Sequence, residues 1–387
     1  MRYHSLDALR AAMMLLGLVL HSAAAYIHVP QPEAWPFHDP PGSVGFAILL
    51  VFIHLFRMPA FFLVAGFFGA LLYHRDGRAA FVRNRAWRIG LPLPIFMATV
   101  LPLTGLGFFF SAWMEGVAFP PELIPPGPLW RRPIFGHLWF LYDLLIFCVI
   151  AALAVPLASR APAPLRAMAA RIFRTLAGNA LGTLVMAGVM AITLMPMRAP
   201  GLETSAAILP PTRILIAYGV FFIYGWCLYA EREESLPKFG RRWWAFIVAG
   251  VLVFVPYIAT LAAEEHSPGR QWHILAVILA GVATWLLIHG IIGFFIRRMA
   301  QPRGWVRYLS DASYWMYLTH IAIITWGGGL LAPLSLNPFA KFAIVLATTT
   351  AVTLLTYRWW VRPTWVGVLL NGRRLPATPV AHQPACN

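Results

Sequence analysis

The chain has 387 residues, of which 60% are hydrophobic and only 11% are charged. A soluble domain carries roughly a quarter charged residues, so this composition excludes an ordinary soluble enzyme, whose core needs more polar surface to cover it. The net charge of +16 would suit a nucleic acid, but the basic residues lie between long apolar runs, so we predict a membrane protein with no nucleic-acid partner.

Ten apolar segments approach or exceed the roughly 20 residues that a bilayer crossing needs. They cover residues 6–28, 45–72, 89–111, 138–158, 175–196, 211–230, 243–263, 273–296, 307–331 and 337–360. The pattern predicts an all-α integral membrane protein, a bundle of about ten transmembrane helices. We assign residues 1–370 to a single transmembrane domain and the polar, proline-containing residues 371–387 to a disordered cytoplasmic tail.

The basic residues alternate between the two sides of this predicted bundle. With a cytoplasmic N-terminus, 22 of the 30 Lys and Arg residues fall in inside segments, six fall outside, and Arg10 and Arg57 lie within spans. This distribution follows the positive-inside rule and predicts cytoplasmic N- and C-termini. An alternative for residues 1–25 is a cleaved signal peptide, with a small-residue site at Ala23–Ala25.

The first span carries two ionisable residues, Arg10 and His21, which are eleven positions apart. Eleven residues are close to three helical turns, so both side chains share one face and lie roughly 16 Å apart along the axis. That face has a permanent cation at its inner end and a titratable base towards its outer end. The alternative is a snorkelling arginine and a hydrogen-bonded core histidine.

Two further spans contain polar side chains that are costly in lipid. Ser313, Tyr317 and His320 follow a spacing of i, i+4 and i+7, so they share a face that meets either a cavity or a neighbouring helix. In the second span, Arg57 stands beside Pro59, where we predict a kink. Arg57 is then either an anion clamp or a structural partner of Asp143.

The segment FVRNRAWRIGLPLP (81–94) concentrates arginine at a predicted inside loop. Its guanidinium groups suit a phosphate-rich ligand, although topology alone also accounts for them. The three cysteines have no metal-site spacing, so we predict no metal and no disulfide framework.

Five motifs together resemble the membrane-bound acyltransferase family 3, and the resemblance runs from end to end. In chain order they are LDALRAAMMLLGLVLH (6–21), FRMPAFFLVAGFF (56–68), RNRAWRIGLPLP (83–94), GHLWFLYDLL (136–145) and SYWMYLTH (313–320). One departure is Ala65, where many members have Ser. The opening MRYHSLDALRA and the length are most similar to the glucan-biosynthesis branch, which is associated with adding succinyl groups to osmoregulated periplasmic glucans of Gram-negative bacteria.

The resemblance implies a multi-pass O-acyltransferase of the bacterial inner membrane, with acyl-CoA, here succinyl-CoA, as co-substrate and no bound cofactor. Its implied partners are a periplasmic glycan acceptor, membrane lipid and other glucan-synthesis proteins. His21, Arg10 and His320 would be catalytic, with His21 as general base on a sugar hydroxyl or on an acyl carrier, and Arg10 orienting the donor.

The remaining motif residues are implied to bind substrate. Arg83, Arg85 and Arg88 would hold the CoA phosphates. Arg57, Ser313 and Tyr317, with His320, would bind the acyl carboxylate or stabilise an oxyanion. The other members of this set are His137, Trp139 and Asp143.

Other functions are compatible with the same residues. One is O-acetylation of a different surface polysaccharide. Another is a transporter of an anionic acyl or lipid-linked substrate, which would relocate an acyl label unchanged, whereas a transferase leaves it as an ester on the acceptor. A scaffold in a glycan-synthesis complex would tolerate His21→Ala. The sequence leaves open whether acyl transfer is direct or passes through an acyl-enzyme.

Overall fold

The computed structural model describes residues 3–28, 35, 37–117, 128, 130, 132–267 and 269–375. Within these residues the elements are helical, and the β pairing is limited to an isolated bridge between Ile27 and Ser43. The α-helices are α1 (His4–Ala23), α2 (Val44–Arg85), α3 (Pro92–Glu115), α4 (Trp139–Ser159), α5 (Ala163–Leu176), α6 (Ala180–Leu194), α7 (Thr212–Ala230), α8 (Arg232–Phe239), α9 (Trp243–His266), α10 (Arg270–Arg298), α11 (Gly304–Leu331), α12 (Pro338–Thr356) and α13 (Trp365–Asn371).

The predicted all-helical membrane fold is confirmed, whereas the count of ten spans and the cytoplasmic termini stay predictions. In the described part, seven helical stretches are long and apolar enough to cross a membrane, or up to eight if the bent pair α5–α6 is one span. Two predicted spans, 45–72 and 89–111, lie in one helical stretch, Val44–Glu115. The predicted span 307–331 coincides with α11, which is not among the seven.

The predicted kink at Pro59 is not where α2 departs from helical geometry. The helix continues through Pro59 and Gly66, and its non-helical residue is Gly77, with φ 83°. Glycine adopts a positive φ without the clash that a Cβ would cause, so the chain bends there at little cost. Proline is tolerated inside a membrane helix because neighbouring groups satisfy the carbonyl that it leaves free.

Helices α2 and α7 cross at two glycines. A Cβ on Gly66 would overlap the carbonyl oxygen of Phe222, and one on Gly225 would overlap the carbonyl oxygen of Leu63. Small residues at a crossing let two backbones approach closely, which replaces the hydrophobic driving force that lipid does not supply. The second helix is therefore fixed against the seventh by backbone contact.

Helices α1, α3 and α11 run parallel to one another and position the candidate site. Arg10 of α1 contacts Ser310 of α11, and His21 contacts His320 about three turns further along both helices. Phe96 of α3 contacts Trp315 of α11 with 6.1 Å between ring centroids, and further along both helices Ser111 donates to the Thr325 carbonyl at 2.7 Å. We call the contact line from Arg10 and Ser310 to His21 and His320 the α1–α11 seam.

A short segment after α1 folds back over the His21 end of the seam. The Asp39 amide donates to the Ala25 carbonyl at 2.9 Å, and the Ser43 amide donates to the Tyr26 carbonyl at 2.8 Å. Asp39 forms a buried ion pair with Lys341 of α12, with 2.8 Å between Oδ2 and Nζ. Burial raises the pKa of the Asp39 carboxyl, and the hydrogen bond and charge of Lys341 oppose that rise.

Candidate active site

Three histidine rings meet at one end of the seam. The ring centroids of His21 and His320 are 5.2 Å apart, and those of His137 and His320 are 5.8 Å apart. The indole of Trp35 stacks on the ring of His21, with 5.8 Å between their centroids. The first and eleventh helices and the turn before α4 therefore converge on one cluster of bases.

His320 presents an available ring nitrogen in this cluster. Its Nδ1 lies 3.0 Å from the Met316 carbonyl and 2.8 Å from the Tyr317 carbonyl. Carbonyl oxygens only accept hydrogen bonds, so we assign the ring proton of the neutral imidazole to Nδ1. Nε2 then carries a lone pair, and it is buried with no hydrogen-bond partner among the described residues. Such an atom can accept a proton or a hydrogen bond from a bound hydroxyl.

Tyr317 and His137 use their polar atoms to join α11 to the start of α4. The Tyr317 hydroxyl donates to the His137 carbonyl at 2.7 Å, and His137 Nε2 lies 3.1 Å from the Leu318 carbonyl, to which it can donate. These reciprocal bonds fix the 3₁₀ turn Gly136–Leu138 against α11. They hold the His137 ring beside His320.

Arg10 lies at the opposite end of the seam, where it is anchored to α11. Its Nη2 donates to the Ser310 hydroxyl at 2.8 Å and to the Ser310 carbonyl at 3.1 Å. Ser313 Oγ donates to the same carbonyl at 2.8 Å. Ser313 therefore supports the group that holds Arg10, rather than standing beside His320.

Arg57 is buried against α1, between the two ends of the seam. Its Nε donates to the Met13 carbonyl at 3.1 Å, and its guanidinium carbon lies 5.8 Å from the Phe61 ring centroid. The guanidinium fills the space that a side chain at Gly17 would occupy, one turn before His21. This places a cation close to the histidine cluster.

Asp143 is not an ion-pair partner of Arg57 in the structure. Both of its carboxylate oxygens are buried without a hydrogen-bond partner in the part of the chain that is described. Trp139, one turn earlier on α4, packs with centroid distances of 5.4 Å to Tyr218 and 6.2 Å to Phe62. Trp139 thus belongs to an aromatic cluster with Tyr218 and Phe62, and its indole has no ring contact with His21 or His320.

A cavity of about 640 Å³ opens where α2 passes into α3. Its polar and aromatic lining consists of Asp76, Arg83, Asn84, Trp87, Arg88, Trp365 and Arg374. Positions 83, 84, 87 and 88 share one helical face, which excludes position 85. Arg85 accordingly lies outside the lining, with its guanidinium carbon 5.4 Å from the Phe81 ring centroid.

Arg88 links this cavity to the seam. Its backbone carbonyl accepts a hydrogen bond of 2.8 Å from Tyr314, which is one turn beyond Ser310 on α11. The Arg88 Nη2 donates to the Leu370 carbonyl of α13 at 2.7 Å. The cavity therefore adjoins the Arg10 end of the seam, far from the histidine cluster.

Sequence reasoning did not single out Trp87, Trp365 or Arg374. Trp87 stands four positions after Arg83, so helical spacing alone would have placed it on the same face. Arg374 had no comparable signal, because it lies in a segment interpreted as a disordered tail. In the described part, no group of three or more His, Cys, Asp or Glu side chains is arranged to hold a metal ion.

Comparison with known proteins places these features in a family. Residues 3–358 match a family model described as an acyltransferase domain. The similar proteins include three of the name "Glucans biosynthesis protein C", from Escherichia coli strain K12, from O139:H28 strain E24377A and from O9:H4 strain HS. Each is 25% identical over 398 residues, covering 96% of this chain and 95% of the relative. No solved structure matches the chain.

Proposed function

This chain belongs to the acyltransferase family that it matches over residues 3–358, and from this premise we propose that it transfers an acyl group from a CoA thioester to a hydroxyl of a glucan. The glucan acceptor follows the names of the similar proteins, which are glucans biosynthesis proteins. The acyl group we propose is succinyl, as the resemblance to that branch implies. The donor is then succinyl-CoA.

The cavity supports the donor class by its chemistry. Arg83, Arg88 and Arg374 offer guanidinium groups, which pair with phosphate oxygens in a bidentate manner. Trp87 and Trp365 offer indole faces, and stacking of a nucleic-acid base on an aromatic ring contributes about 1–3 kcal/mol. Phosphates and an adenine ring are the two recognisable parts of CoA that lie away from its thioester.

The observation that carries the proposal is the contact between the rings of His21 and His320. The Nε2 atom of His320 is buried and has no hydrogen-bond partner among the described residues. In the reaction, His21 accepts the proton of the sugar hydroxyl while the oxygen attacks the thioester carbonyl. The C–O bond forms, the C–S bond breaks, and the thiolate of CoA leaves and takes up the proton from His21. The guanidinium of Arg57 lies against Gly17 of α1, one turn before His21. It stabilises the negative charge that develops on the carbonyl oxygen of the thioester.

We also propose ten spans, with both termini and the arginine-lined cavity at the cytoplasmic face of a bacterial inner membrane. Parallel α1 and α11 require an odd number of crossings between them. Val44–Glu115 would measure about 108 Å if straight, against a hydrocarbon core of about 30 Å, so it counts as two crossings. With α5–α6 as one span, seven crossings separate α1 from α11, which agrees with their parallel contact.

The proposal is tested by the ester content of periplasmic glucans in a deletion strain of the source bacterium. The strain carries wild type, His21→Ala or a control, His266→Gln, whose histidine is exposed at the end of α9. Mass spectrometry of purified glucans is compared at matched protein levels. Wild type and the control are expected to add a succinyl-sized mass, and His21→Ala is expected to lose at least 99% of it, because a positioned base contributes about 10²–10⁴-fold.

Two results would contradict parts of the proposal. If His21→Ala is as active as the control, the histidine is not the base, and its contact with His320 is structural. If wild type leaves the glucans unmodified, the acceptor is wrong, and labelled surface polysaccharides are then examined for the ester.

A further inference from the structure

The donor cavity has one wall that lies outside the family match. The matched region ends at residue 358, whereas Trp365, Val368, Leu369, Gly372 and Arg374 all line the cavity. These residues belong to α13 and the four residues after it. The family match therefore does not extend to this part of the site.

The wall is held in place by specific hydrogen bonds. Asn371 Nδ2 donates to the Tyr357 hydroxyl at 2.9 Å, and the Leu375 amide donates to the Arg362 carbonyl at 3.0 Å. Gly372 ends α13 with φ 76°, a conformation that suits glycine, and thereby turns the chain back towards Arg88. Residues on both sides of Arg374 are thus anchored to the body of the protein.

The charge of the cavity favours an anion. Its lining contains Asp76, but that carboxylate forms two hydrogen bonds with Arg75, at 2.8 and 2.7 Å. The Asp76 charge is thereby balanced, and Arg83, Arg88 and Arg374 remain as an excess of positive charge around the space. Arg373 and Arg374 are both exposed, but only Arg374 is part of the lining.

We propose that α13 and residues 372–375 complete the donor site, and that Arg374 binds a phosphate group of the acyl-CoA. The inference rests on the proposed function, because it assigns a residue to that donor. It predicts that donor affinity depends on a segment beyond the family fold. It further predicts that the adjacent Arg373 has no such role.

The test uses the full-length protein in lipid nanodiscs and compares Arg374→Gln with Arg373→Gln. Both variants lose one charge at neighbouring positions, so general electrostatic attraction changes equally. We measure the Kd of labelled CoA and the KM and kcat for succinyl-CoA with purified glucan. Arg374→Gln is expected to raise Kd and KM about tenfold with kcat kept within about twofold, because a charge-assisted phosphate contact is lost. Arg373→Gln is expected to stay within about twofold of wild type.

The outcomes separate this inference from the function beneath it. If wild type binds CoA and transfers acyl groups but both variants match it, Arg374 has no phosphate-binding role and the inference is overturned. If both variants weaken binding equally, the effect is a general surface charge, which also overturns it. If wild type neither binds CoA nor forms ester, the donor assignment itself fails. Thermal unfolding of each variant identifies any loss that arises from misfolding.

Discussion

Polar side chains along the α1–α11 seam divide into those that hold the framework and those with an atom left for substrate. Ser313 and Tyr317 use their hydroxyl groups to donate hydrogen bonds to backbone carbonyls. His320 instead retains a buried, unpartnered Nε2. The spacing of Ser313, Tyr317 and His320 places them on one helical face, but it does not distinguish these two kinds of residue.

This division predicts different losses on substitution. His320→Gln removes the imidazole that lies beside the base His21 and carries the unpartnered Nε2, and acyl transfer is expected to fall at least about 100-fold. Tyr317→Phe removes one neutral hydrogen bond to the His137 carbonyl, so unfolding free energy is expected to fall by about 1 kcal/mol and activity by less than about tenfold. Both are measured by ester formation and thermal unfolding of purified protein. Equal activity of the two variants would refute the division.

Gly17 provides a way to move Arg57 without altering it. A methyl group at Gly17 would overlap the Arg57 guanidinium, which is buried and bonded to Met13, so the whole group must shift. Gly17→Ala is expected to reduce kcat between about tenfold and 100-fold, because displacement of a charged group by about 1 Å has effects of that size. In the control, Gly105→Ala on α3, the added methyl meets nothing within 4 Å. A Gly17→Ala variant that keeps the kcat of Gly105→Ala would show that Arg57 does not act in the reaction.

Helix pairs in this molecule depend on contacts that single spans do not reveal. The crossing of α2 and α7 rests on Gly66 and Gly225, each against a backbone carbonyl of the other helix. Phe222, whose carbonyl meets Gly66, also packs on Phe147 of α4, with 5.5 Å between ring centroids. The close packing of α2 on α7 therefore requires that Gly66 and Gly225 have no side chain.

Adding one methyl group at the crossing is expected to destabilise the protein. Gly225→Ala would overlap the Leu63 carbonyl, and overpacking of this kind costs about 1–3 kcal/mol. Gly219→Ala, on the same helix, would make an ordinary contact of 3.5 Å with Phe147 and serves as the control. Thermal unfolding in detergent should show a lower midpoint for Gly225→Ala than for Gly219→Ala. Equal midpoints would mean that the two helices separate readily.

Length and apolar composition were enough to predict helices, because a membrane span needs little else. The five motifs were enough to predict the family, and that resemblance is confirmed by the match over residues 3–358. Helix contacts were not predictable in the same way. Gly66 has no partner that its own span reveals, whereas its contact with a carbonyl of Phe222 on a distant helix explains the small residue. Arg374 lines the cavity because hydrogen bonds of Asn371 and Leu375 hold its segment in place, and no local sequence pattern predicts those bonds.

At the scale of the whole molecule, the arrangement of parallel helices predicts which loops lie on each side. Ser267 lies between α9 and α10, and Gln301 lies between α10 and α11; both are exposed. We expect a membrane-impermeant maleimide to label Ser267→Cys in spheroplasts and to label Gln301→Cys only after permeabilisation. The background carries Ser at Cys148, Cys227 and Cys386 so that native thiols do not react. Labelling of both positions in intact spheroplasts would contradict the proposed topology.

The contact between His21 and His320 also limits when the enzyme becomes competent during its own synthesis. One histidine is made near the start of translation, and the other follows after 299 further residues. At about 5–20 residues per second, this interval lasts roughly 15–60 s. Throughout that time α1 lies in the bilayer without α11. A ribosome that stops early therefore releases a chain in which His21 has no contact with His320. Acyl transfer by a half-made chain is thereby prevented.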